Sequence, residues 1–167
     1  MADISAVPGC QFIQAAKHHM LTVMDWFPDQ NGLTNWGGPA MRFPVSPQSF
    51  LQDSRWQELA SYVLLKEEQL LGFGQYYLRA GRCHLGRLAI APDWRGRRLV
   101  ETLIYALVET GCAQLAVDEV SLFVLAQNKP ALRCYQRLGF RIVAYPGQLQ
   151  GIEGCLYMVA GKSHILS

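Results

Sequence analysis

The chain has 167 residues, long enough for one domain over 1–167 with a sizeable core, and at 50% hydrophobic and 17% charged it is globular in composition. A net charge of +2 is too small to make nucleic acid or an anionic membrane the main partner, and no apolar run approaches a transmembrane helix. Five dispersed cysteines, with no Cys-x-x-Cys pair, no zinc-type histidine spacing and no signal peptide, indicate reduced thiols in the cytoplasm and no metal site.

In chain order, residues 11–15 read as a short strand and 16–26 as a helix with Met20, Val23, Met24 and Phe27 on its buried side. Residues 28–47 read as a long irregular stretch carrying Asn31-Gly32, Trp36-Gly37-Gly38-Pro39 and Phe43-Pro44. Ser46-Pro47 is an N-cap and first helical residue for a short helix to 53. Residues 61–66 and 71–79 form an antiparallel pair joined around Glu67-Glu68-Gln69. Gly72 and Gly74 in the second hint at a bulge or a close backbone approach.

An apolar strand follows over 83–91, closed by Pro92, and then the turn Arg95-Gly96-Arg97-Arg98. That turn opens into a helix in which Leu99, Val100, Leu103, Ile104, Leu107 and Val108 share a face while Glu101, Thr102 and Glu109 lie off it. Another strand spans 119–125, and a helix starts at Asn128-Lys129-Pro130 and stops at Gly139. Residues 141–145 and 154–159 form a last strand pair, linked through 146–153. The order is β-α-α-β-β-β-α-β-α-β-β, an α/β (α+β) chain with a mixed, mostly antiparallel central sheet flanked by helices. Three arginines at a helix start, where free N–H groups and the positive dipole end converge, suit an anion.

The turn Arg95-Gly96-Arg97-Arg98-Leu99-Val100, and Asn128, Ala131, Tyr135, Gly139 and Phe140 at Asn-x-x-Ala-x-x-x-Tyr-x-x-x-Gly-Phe spacing, resemble the two signatures of the GNAT superfamily of N-acetyltransferases. The resemblance covers about residues 70–145. Two positions depart from the family's Gln/Arg-x-x-Gly-x-Gly/Ala loop: Arg98 stands where glycine is usual, and Val100 where glycine or alanine is. Arg98 either crowds the phosphates with its Cβ or adds a bidentate contact. The resemblance implies acetyl-CoA as co-substrate and a primary amine (small molecule, peptide N-terminus or lysine) as acceptor; it leaves a homodimer open. The pyrophosphate would meet the backbone of Arg95, Gly96, Arg97, Arg98, Leu99 and Val100, and the pantetheine arm that of Leu88, Ala89 and Ile90.

Tyr135 is the expected general acid, because a phenol is protonated at neutral pH and can protonate the departing thiolate. Asn128, two turns earlier, offers its amide to the cofactor or simply caps its helix. The base is open. The strand over 83–91 has no carboxylate, which leaves His84 as a candidate base there, against a satisfied histidine and a water route. The acceptor is expected against the stretch after the first helix. There Trp36 and Phe43 form an apolar wall or anchor the loop, and Asp29 could steer a cationic amine. The competing reading from another class is a non-catalytic acyl-CoA-binding sensor or partner module on the same fold. Retained Tyr135 counts against it, because a binder needs no proton donor.

Overall fold

A computed structural model describes residues 9–148 and 151–167. The expected link over 146–153 therefore lies partly outside the described residues, at 149 and 150, as do residues 1–8 of the expected domain. The strands are β1 (Cys10–Gln14), β2 (Ala60–Lys66), β3 (Gln69–Arg79), β4 (Arg82–Ile90), β5 (Glu119–Leu125), β6 (Arg141–Ile142) and β7 (Cys155–Gly161). The helices are α1 (Lys17–Met24), α2 (Gln30–Gly37), α3 (Pro47–Asp53), α4 (Leu99–Leu115), α5 (Lys129–Leu138) and α6 (Lys162–Leu166).

All seven strands join one sheet in the order β1-β2-β3-β4-β5-β7-β6, and only β4 and β5 run parallel. Parallel neighbours need a crossover, and α4 supplies it. Its apolar stripe buries Leu103, Ile104 and Leu107 against Tyr76, Cys83, Leu85 and Leu122. On the opposite face, Met20 and Val23 of α1, Leu33 of α2 and Phe50 of α3 pack against Val63, Phe73 and Ala89. The β3 glycines let α4 come close: a Cβ on Gly74 would sit 2.6 Å from Leu107 Cδ1.

Two short helices lie where none was expected. α2 occupies part of the stretch read as irregular, because its Asn-Gly and Gly-Gly pairs look like turn residues. Asp29 caps it, accepting the Gly32 N–H at 2.7 Å, and burial of Leu33 and stacking of Trp36 on Phe27 outweigh its poor propensity. α6 follows β7 and sends His164 against Gly139, whose φ of +106° already requires glycine. The strand expected over 141–145 pairs with β7 only at Arg141 and Ile142. Tyr145 turns off the edge to pack on Tyr157, ring centroids 4.8 Å apart.

Two irregularities of β4 shape the functional site. Its pairing with β3 shifts register between Phe73↔Ala89 and Gln75↔Gly86, so Arg87 and Leu88 face the single residue Gly74. Arg87 adopts a left-handed backbone there, φ +49°. On the other side, β4 pairs with β5 at Cys83↔Val120, His84↔Ser121 and Leu85↔Leu122 and then parts from it.

Candidate active site

The parting strands open a cleft of about 1150 Å³. Residues 84–90 of β4 form one side, 122–125 of β5 the other, α2 one end, and the turn before α4 and the start of α5 the opposite end. Because the parallel ladder stops at Leu85, the β5-facing backbone groups of Leu88, Ala89 and Ile90 have no strand partner. An extended ligand can complete that edge.

The arginine turn lies beside the cleft's end. Gly96 has φ +80° and Arg98 φ +59°, so Arg98 takes the left-handed conformation that the family's usual glycine reaches without strain. Among the described residues no side chain caps α4, which leaves its first N–H groups for a ligand. Arg95 and Gly96 line the cleft, with Arg95 Nε donating to the Ile90 carbonyl at 3.1 Å. Arg97 stacks over Trp94, 4.6 Å from its ring centre. The Leu99 side chain is core, and Val100 lines the cleft while packing on the core beneath. Uncapped donors, three arginines and a free strand edge fit a pyrophosphate joined to an extended arm.

Tyr135 and Asn128 both line the cleft from α5. Asn128 also caps its own helix, its Oδ1 accepting the Ala131 N–H at 3.3 Å. The Tyr135 hydroxyl has no partner among the described residues, and burial, with the Cys134 thiol adding, pushes its phenol up to about 12. It holds its proton across the physiological range.

His84, the candidate base, lies among the residues that line the cleft. Only 2% exposed, its Nδ1 sits 2.8 Å from Ser121 Oγ, and burial, reinforced by the Arg79 cation, pushes its imidazole down to about 3. The same burial favours the uncharged imidazole at neutral pH. Around it lie Tyr77, 5.3 Å away by ring centroid, and Phe123, 4.9 Å away, so this part of the cleft has an aromatic floor.

Trp36 lines the cleft and is anchored twice over, stacked between Phe27 and Phe50 and donating Nε1–H to the Arg87 carbonyl at 2.9 Å. Phe43 lies exposed, and neither it nor Asp29, whose Oδ1 accepts the Gly32 N–H at the cap of α2, is among the lining residues. The cleft instead brings in Arg87 and Glu153, the latter the only carboxylate among its described lining residues. An arginine inside an apolar strand was a readable signal for the first; nothing in the sequence around Glu153 marks it. Among the described residues no three His, Cys, Asp or Glu side chains gather to hold a metal, and no helix is long and apolar enough to cross a membrane.

Comparison with known proteins converges on this geometry. The mycothiol acetyltransferase of Corynebacterium aurimucosum is 33% identical over 132 residues, which is 70% of this chain; the match spans 39% of that relative's length. Among solved structures, AAC(6')-Ib in complex with ribostamycin and coenzyme A superposes with a TM-score of 0.72 at 20% identity, over 93% of this chain and 95% of that one. The Vibrio cholerae spermidine N-acetyltransferase in complex with CoA and spermine gives 0.71 at 16% identity, over 95% and 99%. At such identities these structures establish the fold. The family model described as "Acetyltransferase (GNAT) family" matches residues 16–140, from the start of α1 to the Gly139-Phe140 pair, and on that match the chain belongs to the GNAT acetyltransferase family.

Proposed function

We propose that the chain is an acetyl-CoA-dependent N-acetyltransferase that passes an acetyl group directly to a primary amine. The observation that carries this reading is the parting of β4 from β5 beside the uncapped, arginine-flanked start of α4. The coenzyme A bound in the two structural relatives supports it.

Acetyl-CoA supplies the activated acetyl group. The chain's own part is to hold and orient. The N–H groups at the start of α4, with Gly96 allowing close approach, take the pyrophosphate, and the free edge over 88–90 pairs with the pantetheine arm. A backbone N–H of that edge polarises the acetyl carbonyl.

Tyr135 keeps its proton at the point where a thiolate departs. Burial raises the phenol, and it raises a thiol in the same cleft for the same reason, so the transfer is not put out of balance. With His84 neutral, the acceptor loses its proton to water, and Glu153 at the rim supplies the negative charge that draws the ammonium in. His84 hydrogen-bonds through Ser121 and floors the acceptor end instead.

The test is incubation with acetyl-CoA and a panel of primary amines. Acetylated amine is followed by mass, since the chain's five cysteines would contribute to a thiol readout. At least one amine is expected to be acetylated. Binding of acetyl-CoA without any acetylated amine would leave the acyl-CoA-binding module as the better reading.

A further inference from the structure

Among the described residues Arg87 is a cation with no carboxylate in ion-pair contact. It sits at the β4 bulge where the cleft opens, half-buried and among the lining residues. Its Nη1 donates to Gln75 Oε1 at 3.1 Å and its Nη2 to the Asp53 carbonyl at 3.4 Å, both uncharged acceptors. Its Nε is fully buried and has no acceptor among the described residues. The nearby Asp53 carboxylate is already taken by Arg42, 2.9 Å away, and Arg87 makes no ion pair among the described residues.

The guanidinium is also held in place. Gln75, fully buried, donates its amide to the Ser54 carbonyl at 2.8 Å and to Ser61 Oγ at 3.0 Å, which turns its Oε1 toward Arg87. The Arg87 backbone holds a left-handed conformation, φ +49°, that a non-glycine residue adopts only with strain, and residues so strained cluster at ligand sites. A strut between sheet and α3 would need neither a charge nor a place on the cleft. A desolvated guanidinium beside an aromatic floor has an unmet demand for negative charge.

We propose that Arg87 recognises an anionic group on the acceptor, so that the substrate class is an amine that also bears a carboxylate. The reading rests on the N-acetyltransferase assignment and narrows it. Glu153 and Arg87 then provide one charge of each sign, complementary to a zwitterion, and Tyr77, His84 and Phe123 meet the remainder of the molecule.

The experiment uses the full chain with saturating acetyl-CoA and α-amino acids, phenylalanine among them. Each is run beside its carboxamide and its decarboxylated amine, with polyamines and amino sugars as acceptors that lack a carboxylate. The carboxylate-bearing member of a set should be preferred in kcat/KM by about tenfold or more, the size of one charge-assisted hydrogen bond. Amine basicity works against that result for the amide, which is less basic and holds more free amine at neutral pH. In Arg87→Gln the preference should collapse through KM, and Arg87→Lys should restore part of it. Acetyl-CoA binding serves as the check that each variant is folded.

Turnover confined to amines without a carboxylate, or a preference unchanged in Arg87→Gln, overturns the proposal and leaves the acetyltransferase reading standing. Acetylation of no amine at all overturns both. If neither variant folds, the wild-type preference alone decides.

Discussion

Burial moves Tyr135 and His84 in opposite directions within one cleft, the phenol up to about 12 and the imidazole down to about 3, and in both cases it keeps the neutral form. For Tyr135 that is the form the proposed general acid requires. Tyr135→Phe should lower kcat by about 100-fold or more, the scale of a lost general acid, while acetyl-CoA affinity stays near wild type; single-turnover kinetics beside calorimetry would separate the two. For His84 the neutral form means that the acid limb of kcat/KM should track the acceptor's own amine, move when a less basic amine is used, and persist in His84→Gln. The same depression has a stability consequence. The unfolded chain binds a proton on His84 below pH of about 6.5 while the folded one resists it to about 3, so stability from this residue is complete above that window and lost as pH falls through it. Acid unfolding of His84→Gln should therefore lose part of its pH dependence between those values. Tyr135, Asn128 and the arginine turn were legible because each signature sits on one local element. Arg87 stood out as an arginine inside an apolar strand, but that Asp53 is taken by Arg42 is a fact of tertiary placement.

Among the elements, α4 shows most sharply how packing overrides propensity. Gly111 lies in its middle, where alanine would favour the helix by about 1 kcal/mol. A Cβ there would meet Cys83 Sγ at 2.7 Å and Tyr76 Cγ at 2.9 Å, ring and strand atoms with no room to retreat. Gly111→Ala should accordingly destabilise the chain by about 1–3 kcal/mol despite the better helix former, measurable as a lower denaturant midpoint at unchanged m. The periodicity of α4 and the alternation of the strands made those elements readable from residues alone. α2 was not, and β6 was read three residues too long, for opposite reasons. Tertiary burial of Leu33 and Trp36 makes a helix out of turn-forming residues, while the draw of Tyr157 takes Tyr145 out of the strand pattern around it.

At the scale of the molecule, the cleft follows from a sheet that cannot stay closed. β4 and β5 pair for three residues and then part, and a bulge opposite Gly74 interrupts β4 just beyond the last pair. The sequence pattern named the flanking strands and the turn between them, but not the parting itself, which depends on how α4 and the β3 glycines seat beneath. A ligand spanning free edge and helix start should bind the folded chain alone. At about 100 times its dissociation constant acetyl-CoA should then add about 2.7 kcal/mol of stability. The most direct measurement is calorimetric titration of acetyl-CoA into the chain, with ATP and NAD titrated alongside. Saturable binding of one acetyl-CoA per chain, weakened in Arg95→Ala and absent for NAD, is the predicted result. No heat with acetyl-CoA, together with a melting curve that millimolar acetyl-CoA leaves unmoved, would contradict the account.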